Sequence, residues 1–277
     1  MSSPFLSSLP LVFVLAGVVL YAVLAGADLG AGFWQLFAGR GPHGEEIREH
    51  AHHSMAPVWE ANHVWLIFVL TVFWTAYPTA FGSIASTLAI PLFLAGIGIV
   101  FRGAAYALRA GAATPRELGV IDTVFSLSSI LTPFALGAMV GGIATGRVPV
   151  GNAAGERFSS WLNSTSILVG ALAVATSAYL AAVYLAADAA RRNERDLERA
   201  FRVRALAAGV VAGALALVGI IVVRGDARAR SMTSSSPAEP CRRSSSPRWR
   251  GSRHSRSSTA AASRRRATAP HSRSPPS

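Results

Sequence analysis

Pro57-Val58-Trp59-Glu60-Ala61-Asn62-His63-Val64-Trp65 leads straight into Leu66-Ile67-Phe68-Val69-Leu70-Thr71-Val72-Phe73-Trp74, a run without a single charge. An acid, an amide, an imidazole and two indoles occupy the seven residues from Trp59 to Trp65, at the mouth of an apolar segment. A membrane-spanning helix needs about 20 mainly apolar residues. Pro57 suits the first turn of such a helix, where its missing N–H would have no partner anyway. The predicted helix runs from Pro57 to about Ala76.

Further apolar runs lie on both sides. The first spans Pro10 to Ala27 and continues through Asp28 to about Phe37; no basic stretch precedes it, so no cleaved signal peptide is expected. A polar loop is predicted at 39–56, with His43, His50, His52 and His53, and a short turn at Pro78 and Gly82. Helices follow at Ser83 to Arg109 with a kink at Pro91, Gly119 to Thr145 with Pro133 midway, Ser164 to Ala187, and Val203 to Val223. The chain of 277 residues is 51% hydrophobic and 14% charged, well below the roughly 25% charge of soluble domains. The fold class expected is all-α: a polytopic membrane bundle of about six helices over residues 1–225.

The formal charge of +12 is concentrated at one end. From Ser231 onward, Ser, Arg and Pro dominate without apolar periodicity, so 226–277 reads as a disordered basic tail or as out-of-frame translation. The body of the chain shows no nucleic-acid-binding character. Cys241 is the single cysteine, which excludes an internal disulfide framework and a cysteine-based metal site. The histidines of 50–53 lack regular ligand spacing, and no metal site is expected.

Arginines set the orientation. Arg40, Arg48, Arg109, Arg116, Arg191, Arg192, Arg195, Arg199, Arg202 and Arg204 lie in or beside the loops after the first, third and fifth helices. The opposite side holds Arg147 and Arg157. The positive-inside rule places the N-terminus outside and the start of the second helix on the cytoplasmic side.

Charged residues within spans are rare and commonly mark ion or proton routes. Glu60 is either an interfacial acid at a helix N-terminus or a proton-conducting carboxylate. His63 lies one turn on and could relay a proton. Asn62 calls for a partner on another helix. Trp59 and Trp65 read as interfacial or packing groups. Asp28 and Arg102 are candidates for a buried pair, although Arg102 could instead snorkel to headgroups. Asp122 reads as a helix-end acid. The small residues around Asp28 (Gly26, Ala27, Gly30) would let another helix come close.

These residues resemble subunit II of the cytochrome bd-type quinol oxidases. The resemblance is carried by Gly26-Ala27-Asp28-Leu29-Gly30, by the string from Pro57 to Leu66, by Phe73 to Pro78, and by Phe101-Arg102-Gly103, within residues 1 to about 225. Where the family usually has Asp-Gly before the asparagine, this chain has Glu60-Ala61; His63 stands where the family has Glu or Gln. The resemblance implies a non-haem subunit beside a haem-bearing subunit I that carries haems b and d. It also implies quinol oxidation, dioxygen reduction to water, a structural quinone, and a bacterial cell membrane location. Glu60 then occupies the position of an acid on a proton path from the cytoplasm. The rival reading is a secondary transporter or channel using the same acids; a non-functional fragment is a third.

Overall fold

The computed structural model describes residues 4–55, 59–151 and 153–234. The helices are α1 (Pro4–Leu36), α2 (Pro42–Met55), α3 (Trp59–Ala76), α4 (Pro78–Thr87), α5 (Ala89–Arg109), α6 (Pro115–Ala144), α7 (Ser164–Arg191) and α8 (Arg195–Ser234). Among the described residues there is no strand. Five helices are long and apolar enough to cross a membrane, or six spans if α3 and α4 form one bent span. The expected bundle of about six spans is therefore present. α1 lies at its centre, packed on α3, α6 and α7, while α5 to α8 pack consecutively.

Three expected boundaries change. The stretch 39–56 is not a loop: Pro42 to Met55 forms a helix. Its overall polarity hides a stripe of buried residues, Ile47, His50, Ala51 and Ser54, spaced i, i+3, i+4, i+7. Ile47 and Ala51 join Phe201, Leu185 and Ala181 in a core beneath the ends of α1, α7 and α8.

The third expected helix is broken. Pro78 opens a separate ten-residue helix, and α3 and α4 bend by 119°. The helix cannot run continuously into Pro91: proline offers no N–H to the carbonyl four residues back, and its ring collides with that carbonyl. The chain breaks at Leu88, so Pro91 falls in the first turn of α5, where proline is tolerated, and not at an internal kink.

The last helix starts earlier than expected, at Arg195, with Asp196 and Glu198 in its first turn, and its backbone continues to Ser234. The rest of the basic tail, residues 235–277, lies outside the described residues.

Helix contacts rely on small residues. A Cβ on Gly137 would meet the Val169 carbonyl oxygen at 2.8 Å, and one on Gly141 would meet the Ser166 Cα at 2.5 Å. α6 and α7 thus pack backbone to backbone, as lipid-embedded helices do when no hydrophobic drive separates helix from lipid.

Candidate functional site

The site grows from one face of α1. Tyr21, Ala25, Asp28 and Gln35 are buried along it at spacings of three, four and seven residues. Asp28 is fully buried and Arg102 of α5 is 2% exposed. Arg102 Nη2 donates to Asp28 Oδ1 at 2.6 Å and to the Asp28 carbonyl at 2.9 Å. Nη1 donates to the Ser129 hydroxyl on α6. The guanidinium lies over the Phe125 ring, 4.2 Å from its centroid. Arg102 is thus an internal ligand joining α1, α5 and α6, and does not snorkel.

Glycines make the pair possible. A Cβ on Gly32 would sit 2.2 Å from Ser129 Oγ and 3.1 Å from Arg102 Nη1. One on Gly30 would sit 1.9 Å from the Ser177 carbonyl oxygen, so α7 closes directly on α1 behind Asp28. The helix brought close by the small residues around Asp28 is α7. Trp34 secures the same contact further along, donating through Nε1 to the Ala178 carbonyl at 2.7 Å.

Ion pairing leaves part of the site unspent. Asp28 Oδ2, Arg102 Nε and the Tyr21 hydroxyl have no hydrogen-bond partner among the described residues. A carboxylate with one oxygen held by a guanidinium and the other free can clamp helices and can still accept a hydrogen bond at the second oxygen.

The helix-mouth residues approach this face from α3. Asn62 is buried and donates through Nδ2 to the Leu24 carbonyl at 3.3 Å, one turn before Asp28. The start of α3 is therefore held alongside the end of α1 that carries Asp28. His63 is half-buried and meets the Tyr21 ring edge-on, with centroids 6.2 Å apart. Trp65 packs on Tyr21, Ala25 and Leu29. Glu60 falls in the first turn of α3 beside Trp59; the side chains of both lie outside the described residues.

Other polar groups escaped the sequence reading. Ser126, Ser128, Ser129 and Thr132 are buried polar residues of α6, and the hydroxyls of the last three donate to carbonyls of the same helix, Ser129 Oγ to Phe125 O at 2.5 Å. Serines at i, i+3 within an apolar run are the signal that could have shown it. Asp122 is more than a helix-end acid: it pairs with Arg109 across the α5–α6 turn. His50, expected in a solvated loop, is buried. Its Nε2 lies 3.2 Å from the Leu185 carbonyl oxygen and its Nδ1 3.3 Å from Glu194 Oε2. It tethers α2 beneath the bundle.

Comparison with known proteins bears on the family and the fold. The sequence model of the family described as "Cytochrome bd terminal oxidase subunit II" matches residues 6–237. The chain is 28% identical over 227 residues to cytochrome bd-I ubiquinol oxidase subunit 2 of Escherichia coli (strain K12), covering 77% of this chain and 56% of that protein. It is 29% identical over 129 residues to cytochrome bd ubiquinol oxidase subunit 2 of Bacillus subtilis (strain 168), covering 46% and 37% respectively. The chain thus spans about half the length, or less, of these curated relatives. A chain in the structure of bd oxidase from Geobacillus thermodenitrificans superposes with a TM-score of 0.59 at 22% identity, over 79% of this chain and 67% of that one.

Proposed function

The chain belongs to the cytochrome bd terminal oxidase subunit II family, and from that membership we propose that it serves as the non-haem second subunit of a quinol-oxidising, dioxygen-reducing complex of the bacterial cell membrane. The family match over residues 6–237 carries this reading. A haem-bearing subunit I is the partner, and it holds haems b and d. When bound there, those haems supply the electron transfer and oxygen reduction. Quinol and dioxygen are met through the complex, and a structural quinone is the further cofactor to seek.

This chain's own residues hold the scaffold and move protons. Asp28 and Arg102 lock α1 to α5 and α6 through a buried pair. Glu60 takes the position of the acid at the second helix and delivers protons from the cytoplasm. Asn62 supports the reading, because its bond to Leu24 fixes the start of α3 against the Asp28 face of α1. His63 follows Glu60 by three residues along the helix, the spacing for a relay.

The test is co-expression with a haem-bearing subunit I, followed by a haem spectrum and quinol-driven oxygen consumption. Co-purification with normal haem content is expected. Glu60→Gln then lowers oxygen consumption about a hundredfold or more, the lower end of the 10²–10⁴-fold range of positioned proton-transfer groups, while the haem spectrum stays unchanged. Undiminished turnover in the haem-replete variant would sink the proton role, and failure to associate with any haem-bearing chain would sink the subunit reading.

A further inference from the structure

The face of α8 turned away from the bundle carries its charges in a pattern. Arg195, Arg199 and Arg202 are exposed at spacings of four and three residues, so they share one side of the helix. Leu206, Val210, Leu217 and Ile220 continue that side, each more than half exposed. Arg224, also exposed, closes it. Arg202 and Arg224 are 22 positions apart, a rise of about 33 Å along a helix. The hydrocarbon core of a bilayer is about 30 Å thick. The apolar stretch of this face therefore matches the core, and its arginines fall at the two headgroup levels.

The arginines near this end of α8 divide by side. Arg204, on the bundle side, is partly buried, donates to the Ala200 carbonyl at 3.1 Å and lies 5.9 Å from the Trp34 ring centroid. Arg192 pairs with Asp188 at 3.0 Å, and Arg191 donates to the Ala187 carbonyl at 3.3 Å. On the outer side the guanidinium groups are unspent. Arg195 and Arg199 form no hydrogen bond or ion pair among the described residues. Arg202 meets Glu198 within the same helix, at 3.4 Å. Glu194 faces His50, and Asp196 lies about 100° round the helix from Arg195. Three cations thus stand against one acid on this side, above an apolar wall.

We propose that this side of α8 is bordered by lipid and that Arg195, Arg199 and Arg202 select anionic phospholipids there. The phosphate oxygens are the acceptors these guanidinium groups lack; arginine binds phosphate through paired, charge-assisted hydrogen bonds, and basic residues beside a span are drawn to an anionic leaflet. Leu206 and Val210 receive the acyl chains below. A second copy of this chain, laid parallel on the same face, would bring like charges together. A bilayer offers phosphate at one level, hydrocarbon beneath it and phosphate again at Arg224. The inference rests on α8 as a span, and on no haem, quinol or haem-bearing subunit.

The experiment reads the lipid beside α8 in the full chain reconstituted into vesicles. In a Cys241→Ser background, Leu206→Cys carries a bimane label. Its quenching by dibrominated phosphatidylglycerol is compared with that by dibrominated phosphatidylcholine. A label at Val12→Cys, on the exposed side of α1, reports any preference the chain imposes as a whole. Phosphatidylglycerol is expected to be favoured about fivefold more at the α8 label than at the α1 label, the scale of one arginine at an anionic surface. Arg195→Gln, Arg199→Gln and Arg202→Gln together bring the two labels level, and the corresponding triple change to Lys keeps the preference. None of the three side chains bridges to another helix, so the Gln variant keeps the fold. Equal preference at the two labels, or a preference on α8 that the Gln variant retains, would overturn the selection. A label on α8 that neither lipid quenches would show a protein chain covering the face, and would overturn it as well.

Discussion

Arg102 reaches three acceptors on two other helices from a position almost closed to solvent. Two charges out of water are costly, and their mutual attraction offsets that cost only while both are present. Arg102→Leu is therefore expected to destabilise the bundle by about 3–5 kcal/mol, because the Asp28 carboxylate stays behind unpaired. The double variant Asp28→Leu with Arg102→Leu should lose less than the sum of the two single changes. Chemical unfolding in mixed micelles measures both, and strict additivity would show that the pair contributes no coupling. Glycines at the same scale separate by what surrounds them. A Cβ on Gly30 meets backbone of α7 at 1.9 Å, while one on Gly96 of α5 meets nothing within 4 Å. Gly30→Ala is expected to cost about 1–3 kcal/mol through overpacking, and Gly96→Ala to add about 0.5–1 kcal/mol of helix stability. The same unfolding assay checks the opposite signs.

At the scale of an element, α2 shows how a polar segment can be structural. One face carries His43, Glu46, Glu49 and His53 exposed, while Ile47, Ala51 and His50 are buried on the other. His52 lies between these faces and packs against the Tyr106 ring of α5, with centroids 5.3 Å apart. Burial, and then the Arg109 guanidinium, disfavour the imidazolium and hold His52 at about 4, below the ordinary 6.5. The unfolded segment therefore takes up a proton that the docked helix refuses between those two values. Docking weakens as pH falls from 6.5 toward 4 and is complete above 6.5. His52→Gln should flatten that part of the pH dependence of α2 amide protection, measured by hydrogen exchange. An unchanged slope would assign it to the other histidines. α4 carries the same lesson for a break. Pro78, Leu88 and Pro91 turn one expected helix into two, and only the arrangement of both prolines about Leu88 shows where.

For the whole molecule, the distribution of arginine yields a prediction of which way the bundle sits: by the positive-inside rule, the N-terminus is expected outside and α2 in the cytoplasm. An epitope ahead of α1 should be reached by an impermeant antibody on spheroplasts, and one inserted at Gly41 only after permeabilisation. The reverse pattern would move the proton entry at Glu60 to the wrong side and remove its rationale. α8 adds a second feature at this scale. Val203, Leu206, Val210 and Ile221 are each at least two-thirds exposed on it, as a helix facing lipid or another chain requires.

The sequence by itself determined the membrane class, the number of spans, the residues worth watching and the family. Each of these follows from composition, run length or a local string, and none needs a partner from elsewhere in the chain. Asp28, Asn62 and Arg102 could be singled out because polar groups in apolar runs are costly wherever they end up. Tertiary structure alone decided which of them meet. Asp28 and Arg102 are 74 residues apart, and nothing local distinguishes a paired arginine from one that snorkels. Ser129 and Gln35 draw no notice in the sequence, and His50 reads there as one of several loop histidines, because a serine, a glutamine or a histidine is unremarkable until its surroundings are known. Only the closeness of α1, α6 and α7, allowed by glycines at the contacts, turns those residues into a clamp, a buried face and a tether.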